Sequence, residues 1–246
     1  MSQRLLIFLL AASLLTGGAA PGASTRGRFS PAEAARAAHL VAVLRERYHV
    51  IVTGYGQAGP DDGGAWRTLT ELEWTAEAVW RLALALGGPE SFRHLFGGNV
   101  RVARWTVAGL RAFAPPGQLA LVGDVVLTDY HFEHGRLYAL YLTAHEFGHV
   151  LDTRRGGRLS QDLVATLGAR HCHPHLPMAD CTFDVSAAAE PAPGHPREPY
   201  ARHSPEEYWA EVFAAYVLPD YYARNSRNHR LGARTRAFVI NHLLRP

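Results

Sequence analysis

Residues 145–149 read HEFGH. Two imidazoles four residues apart share one face of a helix, so His145 and His149 can aim two nitrogen donors at one ion. Glu146 follows His145 directly, about 100° further around the helix, where a carboxylate can hold a water beside that ion. A hydrolytic zinc site needs this arrangement. Three protein ligands leave the fourth position to water, whose pKa falls to about 7. A neighbouring carboxylate then takes the proton as the water attacks a polarised carbonyl. Chance is the competing explanation, because the chain carries 14 histidines. From such a composition a random H-E-x-x-H is expected roughly a few times in a hundred. The bland alternative is a buried amphipathic helix with two satisfied histidines, so the pentapeptide needs support from elsewhere in the chain.

Two histidines do not complete a zinc site. One class of zinc protease takes a third histidine six residues after the second, but position 155 is Arg155. Asp152 is a further candidate, three residues beyond His149 and lower on the same helix. Another class takes a glutamate from a later helix. Ser204-Pro205-Glu206-Glu207 reads as a helix start, with Ser as N-cap and Pro at the first helical position. The helix runs through YWAEVFAAYVL to Pro219. Glu207 and Glu211 are four apart and share a face, and Glu206 turns away. One of the pair can bind an ion while the other accepts the free N–H of a ligand histidine and so fixes its tautomer. A glutamate pair can equally be a solvated face, but Tyr208, Trp209, Val212, Phe213 and Tyr216 surround it. His203, beside this helix, could close the site as a fourth ligand and make the zinc structural.

The rest of the chain must position these two helices. Ser30-Pro31-Ala32-Glu33 is a capping-box start for a helix toward Tyr48. HVIVTG, 49–54, reads as a short strand. A helix is expected over 69–86, stopped by Gly87-Gly88. NVRVARWTV, 99–107, alternates with Arg101, Ala103 and Arg104 opposite the apolar face, as a strand with one slip. LALVGDVVLTD, 119–129, reads as a strand broken at Gly123-Asp124 or as a tight hairpin. The HEFGH segment, 135–152, is rich in helix formers, and Gly148 inside it suggests that something packs close. A short helix is expected over 159–168 and a last one over 231–244. Residues 170–203 lack periodicity and read as a long irregular excursion, within an insertion over 152–199 that carries a cysteine loop. The expected fold class is α+β: a small mixed or antiparallel sheet packed on helices, with a helical C-terminal half after the HExxH helix.

The 246 residues suffice for a domain with a substantial core. With 48% hydrophobic and 19% charged residues the composition is globular rather than disordered. A formal net charge of +3, with the arginines spread along the chain, gives no basis for a nucleic-acid partner. Arg4, the apolar run Leu5–Leu15 and the small residues after it read as a signal peptide over 1–23. Cleavage after Ala20 also fits, and an uncleaved anchor is the alternative. The expectation is a secreted, extracellular or periplasmic single domain over 24–246, with no membrane attachment after cleavage. Export favours a disulfide between Cys172 and Cys181. The rival reading is a second metal site, since His171, His173 and His175 crowd the same loop.

HEFGHVLD together with YARHSPEEYWAEVF resembles the anthrax lethal factor-like metallopeptidases, which include the bacterial Pro-Pro endopeptidases. These share an H-E-x-x-H helix, a tyrosine seven residues before a glutamate, and a second glutamate four further on. Tyr200, Glu207 and Glu211 hold those spacings. The resemblance implies a zincin-like fold of the gluzincin type. It implies one catalytic Zn2+ held by His145, His149 and Glu207, with Glu146 as general base. It also implies that Glu211 supports a ligand histidine and that Tyr200 donates to the developing oxyanion. The strand QLALVGDVVLTD would pair with an extended protein or peptide substrate. The resemblance covers about 30 residues in two blocks and carries no specificity pocket. The expected function is a secreted zinc metalloendopeptidase acting on extracellular protein. Its rivals are a secreted binding module and a structural zinc protein on the same fold.

Overall fold

Helix α1 (Pro31–Tyr48) starts with the capping box read from its sequence. The Glu33 N–H donates to Ser30 Oγ at 3.3 Å, and Glu33 Oε2 accepts the Ser30 N–H at 2.9 Å. The structure is a computed structural model and describes residues 29–54, 66–105, 123–168, 204–225 and 231–244. Residues 1–28, Cys172, Cys181, Tyr200 and His203 therefore lie outside the described residues.

After α1 come strand β1 (Val50–Val52), helices α2 (Leu69–Ala85) and α3 (Pro89–Phe96), and strands β2 (Val100–Arg104) and β3 (Val125–Leu127). Then follow α4 (Asp129–Glu133), α5 (Arg136–Arg154), α6 (Arg158–Leu167), α7 (Pro205–Val217), α8 (Pro219–Asn225) and α9 (Ala233–Val239). The last continues as a π turn over Ile240–Leu244. The described residues are mostly helical around one small sheet, which agrees with the α+β class in that coarse sense.

The sheet corrects the expected mixed or antiparallel pairing. Its order is β1-β2-β3 and both pairs are parallel. Val50 lies opposite Val100, and Val102 opposite Val125. The reason lies in the connections. Parallel neighbours need a long crossover, commonly helical. Two helices, α2 and α3, join β1 to β2, and residues 105–124 join β2 to β3. Val125, Val126 and Leu127 are all fully buried, as strands covered on both faces are.

Three helices were not legible as such. Gly88-Pro89 stops α2 but also starts α3, with Pro89 at a first-turn position. Pro219 likewise starts α8 after α7 ends, and α4 is a single turn and a half. Arg104, placed by alternation on the outer face, is instead among the largest fully buried side chains. Its guanidinium bonds Glu71 Oε1 at 2.9 Å and Asp129 Oδ1 at 2.5 Å, so its charge is matched inside the fold.

Helix α5 runs through the centre. Every residue from Ala139 to Gly148 is buried, and the helix packs against β3 and helices α2, α3, α4, α6, α7 and α8. An apolar helix surface closed on all sides is a core helix, not an amphipathic surface one. Phe147 meets Phe96 edge-on at 5.5 Å and Phe92 at 6.1 Å between ring centroids. Each such buried ring contributes about 1.5–3 kcal/mol through apolar surface removed from water. Residues 145–149 are thereby fixed in place before any chemistry is considered.

Candidate metal centre

Helices α5 and α7 make the most extensive helix pair in the fold, and Gly148 sets how close they come. A Cβ at Gly148 would lie 3.1 Å from Ala210 Cα and 3.2 Å from Phe213 Cδ1. The Gly148 carbonyl also accepts the Trp209 indole N–H at 2.9 Å, and Trp209 is fully buried. The glycine that weakens helix propensity is therefore the residue that lets α7 approach, as the sequence suggested.

That approach brings together residues about 60 positions apart. Ser204 caps α7 by accepting the Glu207 N–H at 3.2 Å, which fixes Glu207 in the first turn. Glu207 Oε2 lies 3.1 Å from His145 Nε2 and 3.4 Å from His149 Nε2, and the two imidazole nitrogens are 3.2 Å apart. Donor atoms 2.0–2.1 Å from a tetrahedral ion lie about 3.3–3.4 Å from one another. Two nitrogens and one carboxylate oxygen at these spacings fit three ligands of a zinc ion, and this group could hold one. The donor set, imidazole and carboxylate, also suits that metal.

Burial differs across the group. The His145 side chain is 3% exposed, whereas His149 is 16% and Glu207 24% exposed. The centre is closed behind His145 and reaches solvent along His149 and Glu207. Behind His145, Glu211 Oε1 lies 3.3 Å from Nδ1, and Glu211 is fully buried. Tyr141, one helical turn before His145, donates its hydroxyl to the same Glu211 oxygen. Glu206 is half-buried and is not among the three residues whose donor atoms converge, in keeping with its position on the helix.

The electrostatics follow from this geometry. Burial disfavours a charged His145 ring, but the Glu207 and Glu211 carboxylates outweigh it and hold its pKa well above the usual imidazole value. Burial likewise penalises the Glu207 carboxylate, yet His149 and His145 outweigh it and keep it ionised well below the ordinary carboxylate range. The group thus favours positive charge at its centre, which a proton or a metal cation can supply.

Glu146 is buried at 4% exposure beside His145. Asp152 is accounted for differently. Its Oδ1 accepts the Ser160 N–H at 3.0 Å, and its carbonyl accepts the Gly157 N–H at 2.9 Å. It holds the α5–α6 turn and is not part of the His145–His149–Glu207 group. Sequence reading missed Tyr141. The available signal was its spacing of four from His145, which places both on one face of α5.

Comparison with protein-family models, with curated proteins and with solved structures finds no significant match.

Proposed function

We propose that this chain is an exported zinc metalloendopeptidase with a zincin-like domain, hydrolysing peptide bonds in extracellular proteins. The carrying observation is the convergence of His145 Nε2, His149 Nε2 and Glu207 Oε2 from two helices, with one side of the group reaching solvent. The likeness of the two sequence blocks to the lethal factor-like metallopeptidases supports the same reading. A bound zinc ion would act as a Lewis acid on a carbonyl and lower the pKa of water.

The protein's own residues divide the remaining work. His145, His149 and Glu207 would hold the ion. Glu146 would accept the proton of the attacking water and return it to the leaving amine. Glu211 would keep the His145 Nδ1–H in place, so that Nε2 presents its lone pair. Tyr200, seven residues before Glu207, would donate its phenol to the developing oxyanion. The Leu5–Leu15 run supports export. Among the described residues no helix is long and apolar enough to cross a membrane.

The test is direct. Purified protein should contain about one zinc per chain. Glu146→Gln should keep that zinc and lose about 10²–10⁴-fold in cleavage of a peptide library. Unchanged cleavage by Glu146→Gln would remove the mechanism. Tyr200→Phe should keep zinc and slow turnover, and an equal rate would take Tyr200 out of the site.

A further inference from the structure

A ligand histidine works only if its other ring nitrogen carries the proton. That proton needs a fixed acceptor. Here the acceptor facing His145 Nδ1 is Glu211 Oε1, at 3.3 Å. Glu211 belongs to α7 and has a rotatable side chain of three bonds. Something must hold its oxygen where the imidazole needs it.

We propose that Tyr141 is the positioning residue of this centre, holding Glu211 so that Glu211 in turn orients His145. The inference rests on the zinc reading above. Tyr141 and His145 are one turn apart on α5, so the helix itself sets the spacing of phenol and imidazole. The Tyr141 hydroxyl donates to Glu211 Oε1, the same atom that faces His145 Nδ1. A carboxylate oxygen has two lone pairs and can take both donors. One oxygen of α7 therefore sits between the phenol that donates to it and the imidazole nitrogen 3.3 Å away, both on α5. Glu211 and Tyr141 are both buried, the latter at 6% exposure, so water competes little for the Tyr141–Glu211 bond or for the contact with His145.

The tyrosine is itself clamped. Its ring stacks on Tyr221 of α8, with centroids 4.4 Å apart and planes 4° from parallel. Tyr221 is buried at 4% exposure. Helix α8 follows α7 after the single residue Leu218, so the break at Leu218-Pro219 brings an aromatic face back against the helix that carries the histidines. The order of support is Tyr221, Tyr141, Glu211, His145. Each step is a contact between different elements, α8 to α5, α5 to α7 and α7 to α5.

Tyr141→Phe keeps the ring and its stack and removes only the donor. Zinc affinity, measured by competition with a chromophoric chelator, should fall about 10–100-fold. The ligand-field bands of the Co2+-substituted protein should shift, which a loss of stability alone would not cause. In a Glu211→Gln background the same substitution should add less than about threefold, because residues acting through one contact are not additive. Tyr221→Leu, which loosens the ring but keeps the phenol, should weaken zinc binding in the same direction by less. It carries the test should Tyr141→Phe fail to fold. Wild-type zinc affinity in either variant, or losses that multiply in the double variant, would overturn the role of Tyr141. A wild-type chain that binds no zinc would instead overturn the metal reading beneath it.

Discussion

Among the described residues lie two clusters of buried ionisable side chains, and they are built on opposite terms. Beneath the sheet, Arg104 is held by Glu71 and Asp129, and Asp129 also meets Arg67 at 3.2 Å. Two cations meet two carboxylates, and the Arg104 guanidinium rests 5.1 Å over the Phe132 ring. At the α5–α7 seam, two imidazoles meet two carboxylates. The first cluster closes on itself in charge and in hydrogen bonds. The second reaches balance only when it gains positive charge. A cluster matched within itself is costly to break from one side, whereas one that favours added positive charge is a candidate cation site.

The largest effect should come from unbalancing the closed cluster. Arg104→Met leaves Glu71 and Asp129 buried without their main partner and should cost about 3–5 kcal/mol. Urea denaturation should show this equally with and without zinc, and a loss below about 1 kcal/mol would deny the cluster its structural role. Next comes the open cluster. Glu207→Ala should weaken zinc binding by about 100-fold or more, while Glu206→Ala leaves it intact. Equal zinc content in the two variants would overturn the ligand assignment. Glu207→Ala should also change metal-free stability far less than Arg104→Met does, because Glu207 is the more exposed residue.

Gly148→Ala probes the seam between the two helices. The added methyl meets Ala210 backbone and Phe213 at 3.1–3.3 Å, and overpacking of that kind costs about 1–3 kcal/mol. Better helix propensity returns about 1 kcal/mol. A net loss in thermal stability, with weaker zinc binding, is expected, and a gain in both would show that the seam is slack.

An effect confined to a pH window concerns His131, beside the closed cluster. Thr143 Oγ1 donates to the Ala139 carbonyl at 2.8 Å, so it accepts the His131 Nε2–H at 3.0 Å. Nδ1 is then the bare nitrogen, buried with no hydrogen-bond partner among the described residues. Burial, with the Arg104 charge beside it, lowers the His131 pKa to about 3. The unfolded ring titrates near 6.5. Between these values the unfolded state binds the extra proton, so the stabilising contribution is present above about 6.5 and is lost as pH falls. The slope is about 1.4 kcal/mol per pH unit at most. Denaturation of wild type and His131→Gln between pH 7 and 5 should show a shallower decline in the variant. Parallel declines would mean that His131 is protonated in the fold.

Much of the local structure was legible because it depends on residues three or four apart. The Ser30–Glu33 box and the Ser204 cap formed where read, and HEFGH lies on one helix. That Glu206 stands apart from the His145–His149–Glu207 group also follows from helical spacing alone. The π turn at Ile240–Leu244 was not legible within the last helix. Neither were α3 and α8, since Gly-Pro and Leu-Pro mark a stop and a start with the same residues. For the strand at 119–129, the described part is β3 over 125–127, and 119–122 lies outside the described residues.

By itself, the sequence determined which residues share a helix face, where those helices begin, and which donor types are present. That information is local, carried by the 3.6-residue period and by caps. Only the tertiary structure decided the parallel pairing of the strands and the burial of Arg104. It alone brought Glu207 to the two Nε2 atoms and Glu211 to the other side of His145. Those outcomes depend on how separate elements cross. For the candidate metal centre the crossing is set by Gly148, which admits α7 to within contact of the α5 backbone.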